Sequence, residues 1–359
     1  MAAAPSRILI IRPSALGDVC RTVPVLASLR AAWPGARIEW LVNEGFEDAV
    51  RAHPALDAVV PFPRGALRHA WRPGVGLSAV RWMQRALRAP RYDLVLDCQG
   101  LARSGLFARW TGARRRIGPA SAAEFGWLGC NERVRTDGVH HVVDRMLRLV
   151  QAAGAAPRAD MRLHVPPGCA SSWASTRREE GLEGGYAVFA PTSRWPSKEW
   201  PAERWASLVP EVLALGIGRV AFVGARSEAT RVRAAIPADP ALAARCAMLA
   251  GRTGVGELMA AIGGASLVVA NDSAALHMAV GLGVPYVALF GPTDPAENGP
   301  YGGDRWVVKG DFVECEAPLH YRDRRLGDRL MRRIPVAAVA SRAAEALGRG
   351  PCTAEAVRA

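Results

Sequence analysis

Val268-Val269-Ala270-Asn271-Asp272-Ser273-Ala274-Ala275-Leu276-His277 is the stretch whose reading decides the fold. An apolar run meets three small polar residues, and a helical pattern starts at once. Asn271, Asp272 and Ser273 all carry side-chain oxygens able to accept the orphan amides of a first helical turn. Those amides lie at the positive end of the helix dipole, a natural seat for a phosphate. His277 follows Ser273 by four residues, so the two share a helix face. A second apolar run, 285–290, ends in Gly291-Pro292-Thr293-Asp294-Pro295. Two strands ending in polar turns, with a helix between them, look like the rim of a nucleotide site.

The same rhythm extends outward in both directions. Upstream, residues 186–190 read as a strand, 202–215 as a helix, 220–223 as a strand, and 228–235 and 255–262 as helices flanking a short strand near Met248. Residues 334–347 read as a terminal helix. The first half repeats the alternation. A strand at 7–11 is followed by a turn at 13–17 and helical periodicity over 18–32, despite Pro24. Then come a strand at 37–42, a helix at 44–52, a strand at 58–60, a basic segment at 64–72, a helix at 77–87 and a strand at 94–97. Strands alternating with helices predict doubly wound parallel sheets. A polar, Gly- and Pro-containing stretch at 154–185 breaks the pattern. The expected organisation is a Rossmann-like domain over 1–165, a linker over 166–185, a second such domain over 186–332, and a helix and tail over 333–359. Two Rossmann-like halves facing each other across a cleft make the α/β architecture called GT-B.

Length and composition agree with this division. A chain of 359 residues is too long for one ordinary core. The formal net charge of +13 suits an anionic partner: nucleic acid, a membrane surface or an anionic substrate. No zinc-finger spacing or aromatic RNA-binding signature supports nucleic acid. The seven cysteines have no C-x-x-C spacing, which argues against disulfides or a zinc site and for a reducing compartment. The N-terminus lacks an apolar leader core, and no stretch is apolar for long enough to span a bilayer. Gly216-Ile217-Gly218-Arg219-Val220-Ala221 loosely matches a dinucleotide fingerprint. It follows a helix and opens a strand, the reverse of what that fingerprint needs, so it reads as a helix-ending turn.

Four further segments carry chemistry. In Arg12-Pro13-Ser14-Ala15-Leu16-Gly17-Asp18 a strand ends and Asp18 caps the next helix, or projects a carboxylate where a base for a sugar hydroxyl must sit. Asp97-Cys98-Gln99-Gly100 supplies a neighbouring polar wall, although Asp97 equally suits a helix cap. In the 191–201 segment, Thr192 and Ser193 offer hydroxyls and Lys198 a mobile cation to a phosphate. In Val223-Gly224-Ala225-Arg226-Ser227-Glu228, Gly224 admits close approach, Ser227 caps a helix and Glu228 suits a ribose. The same acid is also expected in a first helical turn on dipole grounds alone.

Together these six segments resemble glycosyltransferase family 9, the lipopolysaccharide heptosyltransferases, and within it the heptosyltransferase I type. The likeness runs from Arg7 to about Leu347, with the motifs in order and at family-like spacing. It implies a metal-independent GT-B transferase using ADP-L-glycero-β-D-manno-heptose, with no cofactor. The absence of a D-x-D motif fits that implication. Asp18 falls on the catalytic base. Thr192, Ser193 and Lys198 fall on diphosphate and sugar contacts, Glu228 on the ribose acid and Thr253 beside the adenosine. Asp272 falls on the heptose contact, with Ser273, Ala274 and His277 around the diphosphate. Ser14, Gln99, Arg64, Arg68, Arg72 and Arg145 fall in or near the acceptor positions, where Kdo and phosphate groups of a lipid-linked glycan are held. The chain departs from the family at Ala274, usually Gly. It has one extra residue between Thr192 and Lys198, and no basic residue near Ala123-Glu124. The 314–321 segment resembles less characterised members.

The resulting expectation is inverting sugar transfer at the inner face of the cytoplasmic membrane, with peripheral attachment through positive charge. Domain closure would exclude water. The competing readings are a family 9 transferase with another nucleotide sugar or acceptor, a non-transferase such as a nucleotide-sugar epimerase or silent scaffold, and a basic nucleic-acid binder.

Overall fold

The computed structural model describes residues 4–67, 73–310 and 322–348. Arg68, Arg72 and the 314–321 segment lie outside the described residues. The chain divides into two units, Met1–His164 and Val165–Ala359.

The first unit runs β1 (Arg7–Ile11), α1 (Leu16–Arg21), α2 (Val23–Ala32), β2 (Arg37–Asn43), β3 (Ala58–Phe62), α3 (Pro73–Met83), β4 (Leu94–Asp97), α4 (Ala102–Thr111), β5 (Arg115–Pro119), β6 (Glu132–Val134) and α5 (Val142–Ala153). Its sheet is ordered β3-β2-β1-β4-β5-β6, and every pairing is parallel. Ile8 to Ile11 are fully buried, which is why β1 reads as an unbroken apolar run rather than an alternating one.

The second unit runs α6 (Pro167–Glu179), β7 (Tyr186–Ala190), α7 (Ala202–Ala214), β8 (Arg219–Phe222), α8 (Ala229–Ala234), α9 (Pro240–Ala243), β9 (Cys246–Met248), α10 (Val255–Gly263), β10 (Leu267–Asn271), α11 (Ala274–Leu282), β11 (Tyr286–Phe290), α12 (Pro295–Asn298), β12 (Val307–Lys309), α13 (Arg324–Arg332) and α14 (Val336–Ala346). Its sheet order, β12-β11-β10-β7-β8-β9, repeats the first when counted from β7, again all parallel. Its core packs Phe189 against Trp205 and Phe222, with ring centroids 5.4 Å apart in both pairs.

Several sequence expectations need correction. The 18–32 helix is two helices broken at Thr22, because Pro24 fits only near the start of a new one. The 44–52 segment holds one short turn, Glu47–Ala49, because Gly45 adopts a left-handed φ of +87° and its N–H donates to Glu47 Oε2. The 166–185 stretch is not an open connection. Thirteen of its residues form α6, which buries Trp173 beside Tyr186. The Gly216–Gly218 turn does end α7 and open β8.

Candidate active site

In each sheet the strand order reverses between the first and fourth strands. Loops leaving those two strand ends diverge and open a crevice. In the first unit the strands are β1 and β4. Ser14 N–H donates to Gln99 Oε1 at 3.3 Å, and Arg12 Nη1 donates to the Cys98 carbonyl. The two loops are thereby tied together beside Asp18.

Asp18 is not the helix cap expected of it. Ala15 occupies that position, and Asp18 is the third residue of α1. Its Oδ2 accepts the Ala15 N–H at 3.0 Å, and its Oδ1 pairs with Arg12 Nη2 at 3.2 Å and with Arg21. Burial by itself would raise the Asp18 pKa. The Arg12 and Arg21 charges and the Ala15 amide outweigh it and hold the carboxyl well below the usual range. The carboxylate remains about a quarter exposed and so is reachable. The sequence alone gives Arg12 and Arg21 no role. The i, i+3 spacing of Asp18 and Arg21 was the available signal.

Asp97 does not line a polar wall. At 1% exposure it is internal. It accepts the Gln99 and Gly100 amides at 3.0 and 3.1 Å and the Ser104 hydroxyl at 2.9 Å, fixing the turn that presents Gln99. Nor does it cap α4, whose cap position is Leu101. Burial pushes the Asp97 carboxyl up to about 6, against the lowering by these hydrogen bonds and by Arg12. Arg64 is exposed in the turn after β3. It stands near Arg103, whose pKa is lowered by burial and then by the Arg64 charge. Arg145 lies in α5 and donates to the Val139 and His140 carbonyls. Its neighbour Met146 contacts the Thr22 hydroxyl at 3.2 Å, and Thr22 in turn donates to the Asp18 carbonyl. Ser14, Asp18 and Gln99 are brought together, while Arg64 and Arg145 sit on separate elements.

In the second unit the reversal falls between β7 and β10. Asn271, the last residue of β10, donates from Nδ2 to the Pro191 carbonyl at 2.8 Å and accepts the Trp200 N–H at 3.2 Å. Ser193 Oγ donates to the Asp272 carbonyl at 3.0 Å. Lys198 Nζ reaches Asp272 Oδ2 at 2.6 Å, and His277 Nε2 lies 3.9 Å from Oδ1. Asn271, Asp272 and Ser273 therefore do not cap α11 with their side chains. Asn271 ties loops, Asp272 is paired, and Ser273, in the cap position, makes no side-chain cap bond. Its buried hydroxyl has no partner among the described residues. Ala274 begins the helix. The first-turn amides of α11 are thus left without a side-chain cap beside a cation.

The remaining residues form an adjacent polar group. Thr192 Oγ1 donates to Glu228 Oε2 at 2.9 Å, and the same oxygen accepts the Ala225 N–H at 2.8 Å. Ser227 is not a cap, since Ala225 and Glu228 hold the two cap positions there. A Cβ on Gly224 would lie 2.8 Å from Val232 Cγ2 and 3.2 Å from Thr192 Oγ1, so only glycine leaves this pair undisturbed. Thr253 is half-buried in the loop before α10, which is drawn in by a Gly251 N–H to Gly224 carbonyl bond of 2.9 Å. Glu199, not foreseen, accepts the Ser193 N–H at 3.0 Å and pairs with Arg231. Among the described residues, no three His, Cys, Asp or Glu side chains gather as metal ligands.

A family model described as glycosyltransferase family 9 (heptosyltransferase) matches residues 80–325. The chain belongs to glycosyltransferase family 9. As a member it is a glycosyltransferase. It is 30% identical over 313 residues to lipopolysaccharide heptosyltransferase 1 of Pseudomonas aeruginosa, covering 85% of this chain and 84% of that protein. Its identity to the Escherichia coli K12 protein of the same name is 29% over 321 residues, covering 87% and 94%. Among solved structures, E. coli heptosyltransferase WaaC with ADP-2-deoxy-2-fluoro heptose is similar with TM-score 0.70 and 25% identity, covering 93% of this chain and 97% of that one. A family 9 glycosyltransferase of Veillonella parvula shares the fold with TM-score 0.76 at 22% identity, covering 95% and 97%. The fold class is accordingly α/β, GT-B.

Proposed function

We propose that this family 9 enzyme moves a heptose, with inversion, from ADP-L-glycero-β-D-manno-heptose to the Kdo-containing inner core of lipopolysaccharide. The observation that carries the reading is the start of α11. Helix amides without a side-chain cap, with Lys198 alongside, suit a diphosphate. Asp272 next to them suits a sugar hydroxyl. Thr192 and Glu228 suit the ribose and nearer phosphate, and Thr253 the adenosine. Ser273, Ala274 and His277 complete the donor contacts. The relatives named for lipopolysaccharide heptosyl transfer, and the WaaC structure with an ADP-heptose analogue, support this donor.

Acceptor binding is assigned to the first unit, through Ser14, Gln99, Arg64, Arg145 and, beyond the described residues, Arg68 and Arg72. Asp18 takes the proton of the attacking hydroxyl. A carboxylate held at so low a pKa is a weak base but always ionised. It suffices, because an oxygen becomes strongly acidic as it bonds the anomeric carbon. Charge on the departing ADP is met by Lys198 and the α11 amides, the work a divalent metal would otherwise do. Transfer in excess chelator is the expected behaviour. The lipid-linked acceptor implies peripheral attachment to the inner face of the cytoplasmic membrane. No helix among the described residues is long and apolar enough to cross one.

A thermal-shift panel tests the donor. ADP-heptose should raise the melting temperature, and UDP- and GDP-sugars should not. A shift with a UDP-sugar alone would overturn the heptose assignment.

A further inference from the structure

All five large apolar side chains that the described residues leave exposed fall in one part of the first unit: Leu77, Val80, Leu106, Phe125 and Leu128. Phe125 is 72% exposed, and the three leucines are each half exposed or more. The same part holds most of the positive charge. Residues 64–135 contain fourteen arginines against four acids, in a chain of net charge +13.

Leu106, Phe125 and Leu128 share one shelf, and α3 packs beside it through Trp82. The turn Gly126–Gly129 lies directly on α4. A Cβ at Gly105, Gly126 or Gly129 would overlap the facing backbone, so the three glycines allow the contact. Phe125 and Leu128 on the turn and Leu106 on α4 are thus carried on adjoining backbone. α3 is fastened beside α4 by Trp82, whose ring lies 5.3 Å from Phe62 and 5.6 Å from Phe107 of α4. Leu77 and Val80, three residues apart, share a face of α3, with Arg81 alongside. Arg103 and Arg109 flank Leu106 at the same spacing on α4, and the Arg133 guanidinium lies 4.3 Å over the Trp127 ring.

Exposed apolar side chains ringed by arginines need a partner with both an apolar interior and an anionic surface. A nucleic acid would take the arginines and leave Phe125 and the leucines in water. An anionic bilayer satisfies both, with apolar groups entering the acyl boundary and arginines meeting lipid phosphates. We propose that α3, α4 and the 125–129 turn form the surface on which this protein docks to an anionic lipid bilayer. The proposal rests on the reading above that the acceptor is lipid-linked.

Flotation of the full chain with vesicles tests it, using phosphatidylethanolamine with phosphatidylglycerol against phosphatidylcholine alone, at low and high salt. The wild type should float only with the anionic vesicles. Phe125→Asn combined with Leu128→Ser should weaken partitioning by about tenfold or more, even at low salt. Arg109→Gln combined with Arg133→Gln should weaken it and flatten its salt dependence. Both variants should melt like the wild type and keep transfer onto a soluble, delipidated acceptor glycan. Wild type that fails to float, that floats equally on phosphatidylcholine, or that floats no better than the variants would overturn the proposal. So would a dimer of the wild type that the variants lose, without flotation. Flotation with the expected variant losses, but no transfer by any form, would leave the docking surface standing and remove the proposed heptose donor and lipopolysaccharide acceptor instead.

Discussion

Replacing Lys198 with Met removes the cation from a pair that is nearly out of water. The Nζ to Oδ2 distance is 2.6 Å, with side chains only 15% and 8% exposed. Removing one partner of such a pair costs about 3–5 kcal/mol, because the other charge stays buried. Lys198 is itself 15% exposed, so water reaches the carboxylate it leaves behind, which favours the lower end. In a unit of this size each kcal/mol moves the melting temperature by about 2–4 °C, so Lys198→Met should lower it by about 6–12 °C. Adding Asp272→Asn removes the stranded charge and should restore most of the loss. Calorimetry of the two single variants and the double variant gives the coupling directly. Calorimetric titration of the same proteins with ADP should show weakened nucleotide binding whenever Lys198 is absent. Additive single effects, or Lys198→Met at wild-type stability and ADP affinity, would refute the reasoning.

Two further predictions concern the neighbouring loops. Gly224→Ala places a methyl against Val232 and the Thr192–Glu228 pair. Steady-state kinetics should show a raised donor KM with a smaller change in kcat, alongside about 1–3 kcal/mol of lost stability, and an unchanged KM would disprove the ribose assignment. Asp97 is raised to about 6 in the fold and titrates near 3.9 when unfolded, so between pH 4 and 6 the folded state binds more protons. Stability therefore falls as pH rises through that window, by up to about 3 kcal/mol, and Asp97→Asn should lack this contribution. His53, held neutral by burial with its pKa lowered to about 4, acts oppositely but equally in both proteins. Parallel denaturation profiles of the two from pH 4 to 6 would contradict the assignment.

Much of this was legible in the sequence because parallel strands buried on both faces are unbroken apolar runs. Ile8–Ile11 and Leu267–Asn271 announce themselves, and the polar residues that follow mark the strand-end crevices. The pairing of side chains at those crevices was not legible. Asn271, Asp272 and Ser273 look alike as caps, yet one ties loops, one binds Lys198 and one has a hydroxyl without a described partner. Which role each takes depends on β7 lying beside β10, a contact between residues some eighty apart in sequence. The Arg12 and Arg21 grip on Asp18 is not legible because it forms only when the end of β1 and the first turn of α1 fold against each other. α6 is not legible because its polar, Ser- and Ala-containing sequence buries only Trp173, too little periodicity to signal a helix.

The central claim is that Asp18 is the base that activates the acceptor hydroxyl. It is tested most directly by the turnover of Asp18→Ala with ADP-heptose and a Kdo-containing acceptor, with donor affinity measured on the same preparation. A fall in kcat of about 10²–10⁴ with donor affinity nearly unchanged is the predicted result. Full turnover by Asp18→Ala would contradict it.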